Sequence, residues 1–264
     1  MPPTVFWQDS GIYLAGLKHF GIIYPPGFPL YMLLGVLWIK TLSLFPLGLN
    51  FTQQVHAFSG FWGAGAAALV GFSVYELIQQ QNPPTAGGSE ARQDPERKMR
   101  QDPSQIIISI ISGISAGLSY SLWAQSINAE VYSLMGFFSA LIFFLVIKFI
   151  KNYPKPPFEE KNFICAQKTC RKYLFLLALT WGFSFGVHLL TISFLIPLLW
   201  FSFDLRLLPV FKAKVSGNQQ YLSLLPTKAW LLAFVIFLFA ALTPYLYLPI
   251  RSAANPQVMW AKID

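Results

Sequence analysis

Residues 171–206 read RKYLFLLALTWGFSFGVHLLTISFLIPLLWFSFDLR, and the number of times this stretch crosses a bilayer decides the architecture. At first sight 173–202 is one long apolar run. A helix rises about 1.5 Å per residue, so about 20 apolar residues already cross a hydrocarbon core of about 30 Å. Gly182, Gly186 and His188 sit at the middle of the run, where a tight turn can form.

The flanks settle the choice. Residues 148–172 carry Lys148, Lys151, Lys155, Lys161, Lys168, Arg171 and Lys172, and residues 203–228 carry Arg206, Lys212, Lys214 and Lys228. A third basic stretch, 80–104, carries Arg92, Arg97, Lys98 and Arg100, together with Pro83, Pro84, Gly87 and Gly88, the composition of a loop. These stretches hold fifteen of the 19 Lys and Arg residues. Short cytoplasmic loops are enriched in such residues, which places all three on the cytoplasmic side. Loops 148–172 and 203–228 share a side only if the chain crosses twice between them, so the reading is two short spans, 171–187 and 188–206.

Composition agrees with lipid as the solvent. Hydrophobic residues make up 55% of the 264 and charged residues only 11%, less than half the share usual in soluble domains. Further spans are read at 52–79, 104–127, 130–150 and 227–249, which gives an all-α polytopic membrane protein of one transmembrane domain, 1–264. Residues 1–50 form an outer loop. It holds a helix over 9–20 ending near Gly21, a break at Pro25, Pro26 and Pro29, and a second helix over 30–45. Lys40 interrupts that second segment and Pro46 closes it, so both helices are read as interfacial; a genuine span over 28–47 is the alternative. Residues 250–264 form an outer segment. The Gly113/Gly117 and Gly182/Gly186 pairs mark places where helices can approach closely.

The net charge of +8 is explained by this topology rather than by nucleic acid, which is not an expected partner. Cys165 and Cys170 form a lone C-x4-C with no second pair or histidine nearby, so no metal site is expected, and in a cytoplasmic loop the thiols stay reduced. The first residues lack the basic and apolar regions of a signal peptide.

With this topology only three of the 11 acidic residues, Asp9, Glu130 and Asp264, fall outside. Asp9 is read as a general base, a cation ligand or the N-cap of the first helix. Tyr24-Pro25-Pro26-Gly27-Phe28-Pro29 is a rigid corner entering a helix. Glu130 and Tyr132 lie at the tip between two spans, where an ionisable group is functional or simply solvated. His188 donates to a phosphate, binds a metal or makes a hydrogen bond that packs helices. Arg251, followed by Asn255, sits outside against the charge trend, and either binds phosphate or snorkels.

Taken in order, Trp7 to Gly11, Pro25 to Tyr31, Ala129 to Leu134, His188 to Thr191 and Pro244 to Pro256 resemble the protein O-mannosyltransferase-like (transmembrane protein 260-like) membrane family of the GT-C glycosyltransferase superfamily. The resemblance implies a GT-C-like helical bundle. It implies transfer of a sugar, mannose-like, from a polyprenyl-phosphate-linked donor to a protein or lipid hydroxyl on the non-cytoplasmic side. Asp9 would be the catalytic base, Arg251 and His188 would steady the donor phosphate, and Glu130 would orient the acceptor or partner Asp9. Tyr132, Asn255, Pro25 and Pro26 complete the expected donor and acceptor site. The family reads Asp-Ser-Gly-Glu and His-Pro-Pro-Gly where this chain has Ile12 and Tyr24. It also carries a helix before the acidic loop, so the chain is expected to be a fragment. Two rival readings remain open, a transporter or lipid-binding membrane protein, and an inactive partner subunit. The need for a divalent cation and the oligomeric state are not legible in the sequence.

Overall fold

The computed structural model describes residues 9–25, 27–81, 102–153, 160–194, 212–215, 218–221, 225 and 227–260. The chain is an α-helical membrane bundle. Its helices are α1 Ser10–His19, α2 Pro29–Leu42, α3 Phe51–Gln81, α4 Pro103–Gly117, α5 Tyr120–Ile127, α6 Tyr132–Lys151 and α7 Glu160–Phe185, then α8 Thr227–Leu242 and α9 Tyr247–Ala253. Short 3-10 turns follow α7 at Leu189–Phe194 and link α8 to α9 at Thr243–Leu246. One departure from the all-helical expectation is a small antiparallel ribbon, β1 Lys212–Val215 with β2 Asn218–Tyr221.

The helix starts follow local chemistry. Proline opens α2 and α4, where its missing N–H costs nothing. Asp102 caps α4 by accepting a bond from the Ser104 N–H at 2.9 Å. Among the described residues, Phe51–Gln79, Tyr132–Lys151 and Thr227–Ala253 are long and apolar enough to cross a membrane. Helices α4 and α5 add a fourth if taken as one broken span, bent by 60°. The single straight span expected over 104–127 is therefore kinked. At the break, the Ser119 hydroxyl donates to the Ala116 carbonyl at 2.7 Å, a local bond that competes with the helical ladder. Large apolar side chains such as Ile110, Ile114, Phe234 and Phe239 are exposed along α4 and α8, as a surface solvated by lipid requires.

Close packing rests on small residues. A side chain on Gly71 of α3 would meet the Ser109 carbonyl of α4 at 2.8 Å. One on Gly182 of α7 would meet the Phe237 carbonyl of α8 at 2.5 Å. Both crossings thus bring backbone against backbone, the usual gain of small residues in lipid.

The bundle has two chemically distinct ends. At one, Lys148 and Lys151 of α6 both reach Glu76 of α3 at 2.7 Å. At this end Cys170, a free thiol, packs with Phe149 and Leu225. At the other end α3 and α6 begin and α7 and α9 finish, with α1 and α2 laid between them. Their contact is the main core, in which Tyr31, Phe58, Ile22, Ile23 and Leu134 are fully buried. Each such apolar side chain contributes about 1.5–3 kcal/mol. Helix α2, with 14 residues, covers about 21 Å and falls short of the core thickness. Helix α7 begins well before residue 171 and ends beside the Gly186 turn. Leu225 packs at the lysine-bearing end, and most of the expected 188–206 span lies outside the described residues.

Candidate functional site

The site starts from a strained corner. Phe20, Tyr24 and Phe28 all take left-handed backbone conformations (φ 47°, 34° and 41°), which cost a non-glycine residue of order 1–3 kcal/mol each. Phe20 ends α1, and Phe28 precedes Pro29 at the start of α2. Between them the Gly27 N–H bonds the Tyr24 carbonyl. The corner therefore reverses the chain and carries Tyr24 back over the start of α1.

There the Tyr24 hydroxyl donates to Asp9 Oδ1 at 2.9 Å. Asp9 occupies the N-cap position of α1, yet its side chain makes no capping bond. The N-cap reading of this carboxylate is thus corrected. Its backbone carbonyl alone accepts from Ile12 and Tyr13, at 2.9 and 3.2 Å, and the carboxylate is exposed and held from the side. The hydrogen bond to Asp9 is also the main cause that pushes the Tyr24 phenol above its ordinary pKa.

Glu130 lies below. The 128–130 turn is closed by the Glu130 N–H on the Asn128 carbonyl at 3.0 Å. Glu130 is only 3% exposed. Burial, and then the charge of Asp9, raise its carboxyl pKa. Tyr13, whose ring packs on Tyr24, Phe28 and Tyr31, feels the charge of both acids. Burial raises its phenol pKa, with further contributions from Tyr132, Asp9 and Glu130. Tyr31 packs edge-on against Tyr13 at 5.3 Å and is fully buried, as is Ser59.

His188 closes the far side. Its ring stacks on Phe28 at 5.5 Å and 19°, and lies 5.8 Å from Tyr132. The Leu190 N–H donates to its Nδ1 at 3.0 Å. In the neutral ring the proton is therefore on Nε2, which is left to donate to a ligand. Burial lowers the His188 pKa and favours that neutral form. Asp9, Glu130, Tyr132 and His188 thus lie near one another around Tyr13 and Phe28.

The remaining expected residues lie around it. Arg251 directs Nε to the Phe20 carbonyl and Nη2 to the His19 carbonyl at 3.1 Å, and its guanidinium covers the Phe20 ring at 5.1 Å. It closes the C-terminus of α1, where a cation meets the negative end of the helix dipole. Tyr247 adds a bond to the Gly21 carbonyl at 2.5 Å. Asn255 is exposed in a left-handed turn (φ 45°). This turn sends the chain on to the Ile22–Met259 bridge and sets Trp260 against Tyr24 at 5.1 Å. Pro25 is exposed at the corner, and Pro26 lies outside the described residues. Ile12 packs against the core.

Sequence reasoning missed Tyr13, Tyr31 and Ser59, which read as ordinary helix-packing residues. It also missed His56, whose place near the start of an apolar span was a usable signal. From His56 an apolar groove of about 1260 Å³ runs along α3 to Glu76, walled by Gly63, Ala67, Ile110 and Ile114.

A family model described as the protein O-mannosyl-transferase TMEM260 N-terminal domain matches residues 9–206. The mouse (Mus musculus) protein O-mannosyl-transferase TMEM260 is 28% identical over 253 residues, covering 96% of this chain. The chain spans 28% of the length of that relative. No solved structure matches the chain.

Proposed function

The chain belongs to the protein O-mannosyl-transferase TMEM260 N-terminal domain family, and from that premise we propose that it carries the base of a membrane glycosyltransferase. The observation that carries the reading is an exposed Asp9 carboxylate, held by Tyr24 at 2.9 Å above a buried polar floor. The donor would be a mannose-like sugar on a polyprenyl phosphate, and the acceptor a protein or lipid hydroxyl.

Asp9 takes the proton of the acceptor hydroxyl as its oxygen bonds the anomeric carbon. The bond from that carbon to the phosphate oxygen breaks, and polyprenyl phosphate leaves with the electron pair. Direct attack inverts the anomeric centre. His188 Nε2–H donates to the phosphate. Arg251 contributes mainly by holding α1, and so Asp9, in place. The groove along α3, which runs from His56 to Glu76, suits an apolar chain.

The chain crosses the membrane several times, with spans at 52–79, 104–127, 130–150, 171–187, 188–206 and 227–249. Asp9 faces away from the cytoplasm in this reading, which the placement of Lys148 and Lys151 at the opposite end of the bundle supports. The test is transfer from polyprenyl-phosphate mannose by the whole polypeptide in sealed vesicles. Product should form with an impermeant acceptor peptide on the face away from the basic loops. Product formed only from the lysine-bearing face would overturn the orientation.

A further inference from the structure

The groove between α3 and α4 is apolar along its length and charged at one mouth. From His56 to Glu76 it follows α3 for about 30 Å, the thickness of a hydrocarbon core. Its wall residues Phe72, Ile110 and Ile114 are each more than half exposed, so the groove opens sideways to lipid. At the Glu76 end, Lys148 Nζ meets one carboxylate oxygen and Lys151 Nζ the other, both at 2.7 Å. Lys151 also donates to Gln79 Oε1 at 2.9 Å. Lys148 lies over the Phe144 ring at 5.9 Å, and that ring tilts against Phe72 at 6.5 Å. The two ammonium groups therefore stand at the mouth of the groove.

This cluster is not balanced. Two cations share one carboxylate, which leaves one net positive charge. Each ammonium has three N–H donors, and three of the six are used among the described residues. The lysine side chains are 24% and 29% exposed, against 12% for Glu76, so the spare donors face outward. Glu76 holds both heads in place and spares a ligand the entropy of ordering them. Arg171 and Lys172 add exposed charge of the same sign at this end, beside Cys170, whose thiol meets the Asn152 carbonyl at 3.3 Å. Asp102, at the start of α4, is committed to the Ser104 N–H.

An occupant that suits both parts has an apolar chain and an anionic head. A neutral transmembrane helix would fill the groove and leave the charge unbalanced. The polyprenyl donor needs its phosphate at Asp9, at the other end of the bundle. The cytoplasmic leaflet is rich in anionic lipids that attract lysine and arginine next to a span. Resting on the orientation given above, we propose that Lys148 and Lys151 bind the phosphate of an anionic glycerophospholipid, with one acyl chain lying in the α3–α4 groove. The site is a lipid contact separate from the chemistry at Asp9.

The test is native mass spectrometry of the whole polypeptide in detergent micelles. The probes are phosphatidylglycerol and phosphatidylcholine with identical chains, and polyprenyl phosphate. The parent should prefer phosphatidylglycerol, and Lys151→Met should weaken that lipid about fivefold with little effect on the other two. Glu76→Gln, which frees both lysines, should bind phosphatidylglycerol at least as tightly as the parent. Ala68→Phe, at an exposed position lining the groove, should weaken it about tenfold by displacing the chain. No preference in the parent, or no loss in either Lys151→Met or Ala68→Phe, would overturn the proposal. So would equal losses in Glu76→Gln and Lys151→Met, which mark a structural clip, or polyprenyl phosphate binding that falls with Lys151→Met. Each reading is of binding without turnover, so it stands or falls separately from transfer by Asp9.

Discussion

Tyr24, where related sequences are expected to carry histidine, donates its phenolic proton to Asp9 Oδ1 across 2.9 Å. Tyrosine, like histidine, can present a donor to the carboxylate. Tyr24→Phe removes the donor and spares the ring packing against Tyr13 and Trp260. At this exposed position the bond contributes about 1 kcal/mol. Transfer should fall about fivefold, and Tyr24→His should restore most of it. Rates measured at matched protein amount check this.

Arg251 and α1 are joined across 231 positions of sequence. Arg251→Met leaves the His19 and Phe20 carbonyls without their cation and should destabilise the protein by about 1–2 kcal/mol. Melting and transfer should fall together, with donor KM little changed. A raised KM at unchanged melting temperature would instead return Arg251 to the phosphate.

Glu130 gives a stability signature with a definite sign. Its carboxyl pKa is raised in the folded protein, first by burial and then by Asp9. The folded state therefore prefers the protonated form. That stabilisation is complete below the unfolded carboxyl value of about 4.3 and is lost as pH rises through the folded value. Glu130→Gln should raise the melting temperature at pH 7.5, and the difference should vanish near pH 4. Thermal unfolding across that range checks it.

Topology makes a separate prediction. In a background lacking Cys165 and Cys170, cysteines at Asn128 and Asn255 should react with an impermeant thiol reagent in intact cells. Cysteines at Arg97, Lys161 and Lys214 should not. Labelling of the Lys161 position from outside would break the arrangement of spans.

The helical architecture was legible because lipid imposes length and composition on each span: α3, α6 and α8 announce themselves as apolar runs. The kink between α4 and α5 was not legible, since Leu118 and Ser119 break no compositional rule. At the site, Asp9, Glu130 and His188 stood out as ionisable residues among apolar ones. Their convergence depends on the left-handed turns at Phe20, Tyr24 and Phe28, which no local pattern demands. The tie between Arg251 and α1 is a contact between distant segments, invisible to spacing. Tyr13 and Tyr31 were hidden because a buried tyrosine reads as core until its neighbours are known.

The central claim is that Asp9 is the base of transfer. Asp9→Asn keeps the shape and an oxygen for Tyr24 but removes the proton-accepting carboxylate. The decisive measurement is sugar transfer from a polyprenyl-phosphate donor by the whole polypeptide carrying Asp9→Asn, with melting temperature and donor binding followed in parallel. Transfer should fall about 100-fold or more, while melting and donor binding stay near those of the parent. Near-normal transfer by Asp9→Asn would contradict the claim and remove Asp9 from the mechanism.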